Sequence, residues 1–353
     1  MAFELPARAG APRICTVGHA TVDHCFDIQA FPGHPTKTPA SGHRLISGGM
    51  AANAAIAATR LGARVRLHAP VGSDEAGDFL LRHLQSCGVA CDQLQQVPGA
   101  NSSISCVVID AQGERQIFNY RGEAIARAAP LDVTALAGCD VLMVDPRWMS
   151  GALAALQWAR DAGVLSVLDG DLSPQADLQA LARLADWAVF SESGLAAFAP
   201  GLTQEQALQA ALDAGAEVAV VTRGARGACW LRKPPALPNA AHSMMQCTPA
   251  FEVRAIDTNG AGDVFHAALV VALARGQTDH EALRFASAAA AIKSQRNGGV
   301  AHGPDTLEVQ AFLALQWVQA PNGRTSYPSW CVADNSQLQG NGLLLTGCDF
   351  PEA

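Results

Sequence analysis

A glycine-rich segment in the last third of the chain carries the residues best suited to chemistry. Residues Asp257–Phe265 read DTNGAGDVF and run into an apolar helical pattern. Gly260, Ala261 and Gly262 would leave the first amides of that helix uncovered, and the helix dipole adds partial positive charge there, so the segment can bind a phosphate. Because a phosphate repels a carboxylate, Asp263 in the first turn is suited to accept a proton from an attacking hydroxyl. The alternative is that Asp263 only complements the helix dipole.

A second glycine-led helix start lies near the N-terminus. Residues Ser47–Ala55 read SGGMAANAA, which places Gly48 and Gly49 before a helix and the amide of Asn53 one turn into it. The alternative is two glycines for close helix packing and a buried, satisfied amide. Neither segment ends in the Gly-Lys-Ser/Thr of a Walker A loop, and neither is a GxGxxG fingerprint, so the sequence disfavours a dinucleotide-dependent hydride transfer.

Short β-rich runs alternate with helical patterns along most of the chain. Alternation of this kind predicts βα units, and hence an α/β fold with a mainly parallel sheet covered by helices on both faces. Capping boxes at Thr203/Gln206 and Thr278/Glu281 predict two helix starts, and Gly62 predicts the end of a helix over Met50–Leu61. The predicted strands are Ile14–Gly18, Val65–Val71, Val141–Asp145, Leu165–Asp169, Val218–Thr222 and Phe251–Ala255.

Two stretches break the alternation. Residues 23–47 hold three prolines, and residues 101–121 have the pattern of a β-hairpin turning at Ala111–Gly113. The two stretches are predicted to pair into a small separate sheet, a lid over one edge of the main sheet. Residues 13–318 are then one domain, and residues 319–353, which are rich in Asn, Gly and Ser, are predicted to form a loosely attached tail.

Composition excludes several classes of protein. The net charge of −8 and the pI near 5.6 argue against a nucleic-acid or anionic-membrane surface. Ten cysteines without a CxxC pair indicate buried free thiols in a reducing cytosol. The N-terminus has no apolar h-region, and no apolar run approaches the ~20 residues that span a bilayer. The sequence predicts a cytoplasmic protein that acts on a small molecule.

Taken together, Gly48–Gly88 and Asp257–Leu269 (DTNGAGDVFHAAL) resemble the two signatures of the ribokinase-like (PfkB) carbohydrate kinases. The resemblance covers about residues 13–318. It implies a ribokinase-like three-layer αβα core with a β-sheet lid that is often a dimer interface, and transfer of the γ-phosphoryl of ATP to a sugar hydroxyl with Mg²⁺. It also implies Asp263 as catalytic base, with Gly260, Ala261 and Gly262 as the anion hole.

The resemblance assigns further site residues. The residues that would contact the sugar are Asp23, Gly48, Gly49 and Asn53. Those on the nucleotide side would be Thr222, Gly224 and Gly227. A monovalent cation, expected to be K⁺, would be bound by Asp257 and Asn259, near the Arg296–Gly299 loop. The chain departs from the family where Ser191–Gly194 (SESG) replaces the usual Asn-x-x-Glu motif. Glu192 is the candidate to take over the Mg²⁺-related role, and a non-catalytic sugar-binding relative stays an alternative.

Three features are similar to the sulfofructose kinase branch: Arg147 in VLMVDPRW, the run Val167–Asp171, and the replaced motif. In that branch, residues matching Lys37, Asn119 and Arg147 recognise a sulfonate, which implies 6-deoxy-6-sulfofructose as substrate and its 1-phosphate as product. A phosphate or carboxylate would satisfy the same charges. The alternatives are a solvated Lys37 with Arg147 paired to Asp145 or Asp171, and a kinase for an uncharged ketose or pentose.

Overall fold

Strands and helices alternate as the sequence predicts in a computed structural model that describes residues 10–234 and 244–318. The strands are β1 (Arg13–Val17), β2 (Thr21–Asp27), β3 (Gly42–Gly48), β4 (Arg64–Gly72), β5 (Leu94–Val97), β6 (Ser103–Ile109), β7 (Arg115–Tyr120), β8 (Val141–Val144), β9 (Leu165–Gly170), β10 (Trp187–Ser191), β11 (Val218–Thr222), β12 (Ala228–Arg232) and β13 (Gln246–Thr248). The helices are α1 (Met50–Arg60), α2 (Glu75–Ser86), α3 (Ala124–Arg127), α4 (Met149–Ala162), α5 (Gln175–Ala182), α6 (Glu192–Phe198), α7 (Gln204–Ala214), α8 (Ala261–Ala274), α9 (Asp279–Ser294) and α10 (Thr306–Val318).

The main sheet has nine strands among the described residues, in the order β13-β12-β11-β10-β9-β8-β1-β4-β5. All neighbours pair in parallel except β11 with β12 and β12 with β13, which are antiparallel. The carboxyl ends of β1, β8, β9, β10 and β11 therefore meet at one edge, where open α/β sheets collect ligands.

Each face of the main sheet has its own hydrophobic core. Val189 points into the core built with α1, α8 and α9, whereas its neighbour Phe190 points into the core built with α4 to α7. Because successive residues of a strand face opposite sides, this division requires strands that are apolar on both faces. The predicted three-layer α/β fold is confirmed, and both predicted capping boxes are present at the starts of α7 and α9.

A second sheet, the lid sheet, consists of β3, β2, β6 and β7 in that order. It comprises the two stretches that break the βα alternation, so the prediction of a small separate sheet is confirmed. Its hairpin turns at Asp110–Gly113, where the carboxylate of Asp110 accepts hydrogen bonds from the amides of Gln112 and Glu114.

Two sequence-based expectations are wrong. Residues Phe251–Ala255 form no strand, because the next amides, those of Ile256 and Asp257, donate to the carbonyl of Ser294 at the end of α9. Cys229 and Cys247 are not free thiols: they face each other on β12 and β13 and form a disulfide. The predicted tail, residues 319–353, lies outside the described residues. Within the described part of the chain, no helix combines the length and hydrophobicity needed to cross a bilayer.

Candidate active site

The two glycine-led segments meet at the carboxyl edge of the main sheet. Asn53 on α1 donates a hydrogen bond from Nδ2 to Oδ2 of Asp263, at 2.7 Å, in the first turn of α8. Gly260 precedes that turn in the left-handed conformation, with φ of 75°, where a side chain would be strained. The structure thus brings Asn53 and Asp263 into direct contact, as one shared site requires.

The surroundings of Asp263 favour its protonated form. Burial, followed by the negative charge of Asp169, raises the pKa of Asp263 well above its usual value, and the hydrogen bond from Asn53 opposes that rise. The ring of His266 is buried nearby: its Nδ1 is 2.8 Å from the carbonyl oxygen of Gly262, and its Nε2 is 3.5 Å from Oδ1 of Asp169. A general base accepts a proton only in its ionised form, and the hydrogen bond from Asn53 is the contact that favours that form here.

The first turn of α8 faces open space. A Cβ added to Gly262 would meet no protein atom within 4 Å, so the backbone there can be approached closely. By helix geometry the amides of this turn lack carbonyl partners inside α8, and the amide of Ala261 donates to the carbonyl of Thr258 at 3.2 Å. The turn has the shape and charge of an anion hole for a transferring phosphoryl group.

Asp23 on β2 is packed against the glycine pair that precedes α1. Burial raises the pKa of Asp23 to about 6, and its hydrogen bond with Ser105 opposes the rise. A Cβ on Gly48 would lie 2.1 Å from Oδ2 of Asp23, and one on Gly49 would lie 2.5 Å from the carbonyl oxygen of His19. Both glycines are therefore required by close approach, which fits their predicted place on the sugar side.

Gly48→Ala is expected to raise the KM for the sugar about tenfold to a hundredfold, because the methyl group would push Asp23 aside and a hydrogen bond to a charged group contributes roughly 1.5–3 kcal/mol. Initial rates at varied sugar and at varied ATP should place the effect on the sugar, with the KM for ATP little changed. Gly33→Ala is the matched control, since a Cβ at Gly33 meets nothing within 4 Å. An unchanged sugar KM in Gly48→Ala would remove Asp23 from the sugar site.

A hydrogen-bonded network joins two of the three residues predicted to bind an anion. Nδ2 of Asn119 lies 3.4 Å from Oγ of Ser103, which is 2.9 Å from Nε2 of His19. The amide of His19 donates to Oδ2 of Asp145, and the amide of Arg147 donates to Oδ1 of the same carboxylate, both at 2.8 Å. Asn119 in the lid sheet and Arg147 beyond β8 therefore lie around one buried histidine.

The predicted anion-binding residues already have contacts within the protein. Nδ2 of Asn119 donates to the carbonyl of Ile104 at 3.2 Å and to Oγ of Ser105 at 3.1 Å. Nη1 of Arg147 donates to the carbonyl of Leu172 at 3.0 Å and to Oγ of Ser173 at 3.1 Å, and Nη2 lies 3.4 Å from Oδ2 of Asp171. Lys37 is exposed in the loop between β2 and β3 and makes no hydrogen bond or ion pair with the described residues. The structure thus places Arg147 at the site but does not bring Lys37 to it.

No sequence motif identifies three residues of this network, His19, Ser103 and Asp145, or the nearby Arg121. Asp145 is fully buried and its carboxylate also accepts from the amide of Ala51, so it ties the ends of β1 and β8 to α1. Arg121 directly follows β7, forms no ion pair within the described residues, and has its pKa lowered by burial and then by the charge of Arg147. The one available signal was the position of Asp145 at a strand end.

The nucleotide-side residues lie at the end of β11. Oγ1 of Thr222 donates to the carbonyl of Phe190, and Gly224 and Gly227 flank a short 3₁₀ turn with φ of 54° and 82°. A Cβ on Gly227 would lie 2.0 Å from the carbonyl oxygen of Thr248, so the turn is pressed against β13. Glu192 at the start of α6 forms an ion pair with Arg226 of this turn.

The predicted cation site holds a lysine. Asp257 accepts a hydrogen bond from the amide of Asn259 through Oδ1 at 2.8 Å, and the fully buried Lys293 donates from Nζ to the Asp257 carbonyl at 2.9 Å. Lys293 also donates to the carbonyl of Arg296. The oxygens expected to bind K⁺ thus contact an ammonium group instead. No group of three or more His, Cys, Asp or Glu side chains within the described ranges is arranged to hold a metal ion.

Comparison with known proteins gives concordant results. A model described as "pfkB family carbohydrate kinase" matches residues 11–306. The ribokinase of Haemophilus influenzae is 27% identical over 312 residues, covering 85% of this chain and 98% of that protein. A fructokinase of Solanum tuberosum is 28% identical over 288 residues, covering 75% and 86%. The crystal structure of a ribokinase from Thermotoga maritima superposes with a TM-score of 0.72 at 25% identity, covering 85% and 99%.

Proposed function

Because the chain belongs to the pfkB family of carbohydrate kinases, and is an ATP-dependent sugar kinase of the ribokinase and fructokinase type, we propose that its acceptor is a sugar with a terminal anion. The specific reaction we propose is phosphorylation of 6-deoxy-6-sulfofructose on its C1 hydroxyl, giving the 1-phosphate. The observation that carries this proposal is the network that sets Asn119 and Arg147 around His19 at the carboxyl edge of the sheet.

In the proposed mechanism Asp263 takes the proton of the C1 hydroxyl as its oxygen attacks the γ-phosphorus in line. The bond from the γ-phosphorus to the bridging oxygen breaks, and ADP leaves. The amides of Gly260, Ala261 and Gly262 hold the negative charge that develops on the transferred group, and for this the amide of Ala261 must leave the carbonyl of Thr258. Asn53 orients the base through its 2.7 Å hydrogen bond, and Asp23 holds the sugar hydroxyls. The lid sheet excludes water, which would otherwise accept the phosphoryl group.

We propose that this ATP-dependent kinase requires Mg²⁺, which would neutralise negative charge on the phosphates of the bound nucleotide. Mg²⁺ keeps several waters and is commonly held by one or two carboxylates together with substrate phosphates, so a dedicated protein cage is not required. Glu192 supplies a carboxylate of the right chemistry at the replaced motif, with a side chain that is 45% exposed. We propose that Glu192 gives up its ion pair with Arg226 when the nucleotide binds and then contributes to holding the metal.

The proposal of a terminal anion is supported by two arginines that lie close together near His19. Arg121 and Arg147 both lie near His19. Burial lowers the pKa of His19 most, and the positive charges of Arg147 and Arg121 lower it further. One arginine is paired with Asp171 and the other has no ion pair among the described residues. The carboxylates of Asp171 and of the buried Asp145 lie near these two cations, and a bound anion would stabilise the cations further. A sulfonate, a phosphate and a carboxylate share this chemistry, and the choice of sulfonate rests on the resemblance to the sulfofructose kinases.

A second candidate is a kinase for an uncharged ketose or pentose, as the names of the ribokinase and fructokinase relatives suggest. It is favoured by the contacts of Arg147, whose guanidinium is already satisfied by Asp171, Leu172 and Ser173. In that case Arg147 stabilises the fold through its pairing with Asp171, which is the alternative interpretation of the sequence given above.

A substrate panel separates these candidates. We expect kcat/KM for 6-deoxy-6-sulfofructose to exceed that for fructose and ribose by about tenfold or more, because a neutral hydroxyl leaves two cations without an anion. Fructose 6-phosphate, a bulkier dianion, is expected to lie between or to fail. The assay couples ADP formation to each sugar at fixed Mg²⁺ and ATP. Preference for fructose or ribose would establish the second candidate, and no turnover with any sugar would indicate a non-catalytic relative.

We also propose a homodimer formed through the lid sheet. β7 is an edge strand, and its side chains of Ile117, Phe118 and Tyr120 are 51%, 59% and 50% exposed. An exposed apolar edge strand offers unpaired backbone groups and apolar surface to a second chain.

A further inference from the structure

Lys293 is one of only three lysines in the chain and the one that is completely buried. It lies near the end of α9, where a long charged side chain normally reaches solvent. Its ammonium group has three N–H donors, and three acceptors surround it: the carbonyl oxygen of Asp257 at 2.9 Å, that of Arg296 at 3.3 Å, and Oδ2 of Asp257 at 3.4 Å. The charge is therefore fully paired inside the protein.

Two of these acceptors belong to Asp257, one of the two residues that the sequence resemblance assigns to a monovalent cation, and the third belongs to Arg296 in the neighbouring loop. K⁺ and an alkylammonium group carry the same charge and have similar size, and both are bound by backbone carbonyls and a carboxylate. Two groups of one positive charge cannot share these oxygens, because like charges at contact distance repel strongly. The described residues therefore do not fit a K⁺ ion while Lys293 is in place.

We infer that the ammonium group of Lys293 is a built-in replacement for the monovalent cation, so that this kinase works without K⁺. Lys293 therefore acts as a positioning residue. The amides of Ile256 and Asp257 donate to the carbonyl of Ser294, next to Lys293, and the lysine joins the same two loops through Asp257 and Arg296. The Asp257 loop runs directly into Gly260–Gly262, so Lys293 fixes the approach to the anion hole and adds a permanent positive charge beneath it.

The test uses two substitutions that differ in the space they leave. Lys293→Ala removes the charge and opens room for an ion, whereas Lys293→Met removes the charge and fills the room. Each is compared with wild type and with Lys233→Ala, which removes a surface lysine paired with Glu217. All four proteins are prepared free of alkali metals and assayed in tetramethylammonium, sodium, potassium and ammonium chlorides at constant ionic strength.

We expect wild type and Lys233→Ala to have the same kcat, within about 1.5-fold, in all four salts. Lys293→Ala should lose about tenfold or more in kcat in tetramethylammonium chloride and regain most of it with K⁺ or ammonium, while Lys293→Met should stay low in every salt. Thermal unfolding without substrate provides a second readout: K⁺ should raise the Tm of Lys293→Ala by about 3 °C or more and leave that of Lys293→Met unchanged.

Activation of wild type by K⁺ of more than about threefold would overturn the inference, as would equal behaviour of the alanine and methionine variants in every salt. If Lys293→Ala does not fold in any of the salts, the wild-type series still decides, because dependence on K⁺ there is incompatible with an occupied site. The kinetic measurement can use any sugar that the enzyme phosphorylates, and the thermal measurement needs no sugar. A failure of the sulfosugar proposal therefore leaves both readable.

Discussion

Asp263→Asn is expected to lower kcat about 10²–10⁴-fold, the usual cost of removing a general base. The amide is the same size as the carboxylate and can still accept the hydrogen bond of Asn53, so the first turn of α8 should keep its geometry. What the amide cannot do is take the proton of the sugar hydroxyl. The nucleotide is proposed to bind near Thr222, Gly224 and Gly227, so binding of ATP, measured by calorimetry, should change little.

The control for this variant is Asp213→Asn, which alters a carboxylate on α7 that accepts a hydrogen bond only from the adjacent turn. It should retain wild-type kcat. If Asp263→Asn keeps more than about a tenth of wild-type turnover, Asp263 is not the base and its role is limited to the helix dipole. A parallel loss of ATP affinity would instead indicate that the substitution disturbs the anion hole itself.

Arg147→Ala is expected to lower kcat/KM for 6-deoxy-6-sulfofructose about tenfold to a hundredfold, since a hydrogen bond to a charged group contributes roughly 1.5–3 kcal/mol. Turnover of fructose should stay within about threefold of wild type, because fructose has no anion to place at this position. The measurement is the ratio of kcat/KM for the two sugars, together with the Tm of each protein. Lys37→Ala should change this ratio little, since that side chain is exposed in the loop between β2 and β3 and makes no hydrogen bond or ion pair with the described residues of the site.

The contacts of Arg147 define the opposite result. Its guanidinium lies against Asp171 and the carbonyl of Leu172, and its side chain is 18% exposed. If those contacts are its whole purpose, Arg147→Ala should depress all sugars equally and lower the Tm. Arg160→Ala, which removes a cation contacting only the carbonyl of Arg183, should change neither ratio nor rate.

Local patterns accounted for much of the fold. The strand Val218–Thr222 was predicted to the residue, and the capping boxes at Thr203 and Thr278 were correct, because periodicity and caps depend on near neighbours in the chain. The strand predicted at Phe251–Ala255 is wrong, because a short alternating run does not show which part of the chain accepts the hydrogen bonds of its backbone. Its continuation bonds to the end of α9 instead of to a strand.

The site was predictable where a motif spans a few residues and not where it depends on the fold. Asp263 and its glycines could be identified because they are contiguous. Lys293 could not, because a single lysine near the end of a helix has the pattern of a solvated residue, and its acceptors belong to two loops that only the folded chain brings together. The disulfide between Cys229 and Cys247 depends in the same way on the pairing of β12 with β13.

The contact between Asn53 and Asp263 joins residues 210 positions apart, which has a consequence for the order of events during synthesis. Asn53 and most of the lid sheet leave the ribosome long before α8 is made, since chains elongate at about 5–20 residues per second. At that rate, about ten seconds or more pass between the synthesis of Asn53 and that of Asp263. Throughout that interval the nascent chain cannot consume ATP. Phosphoryl transfer becomes possible only after α8 has been made and has packed in place, so activity appears only when all thirteen strands and most of the helices described here have been synthesised.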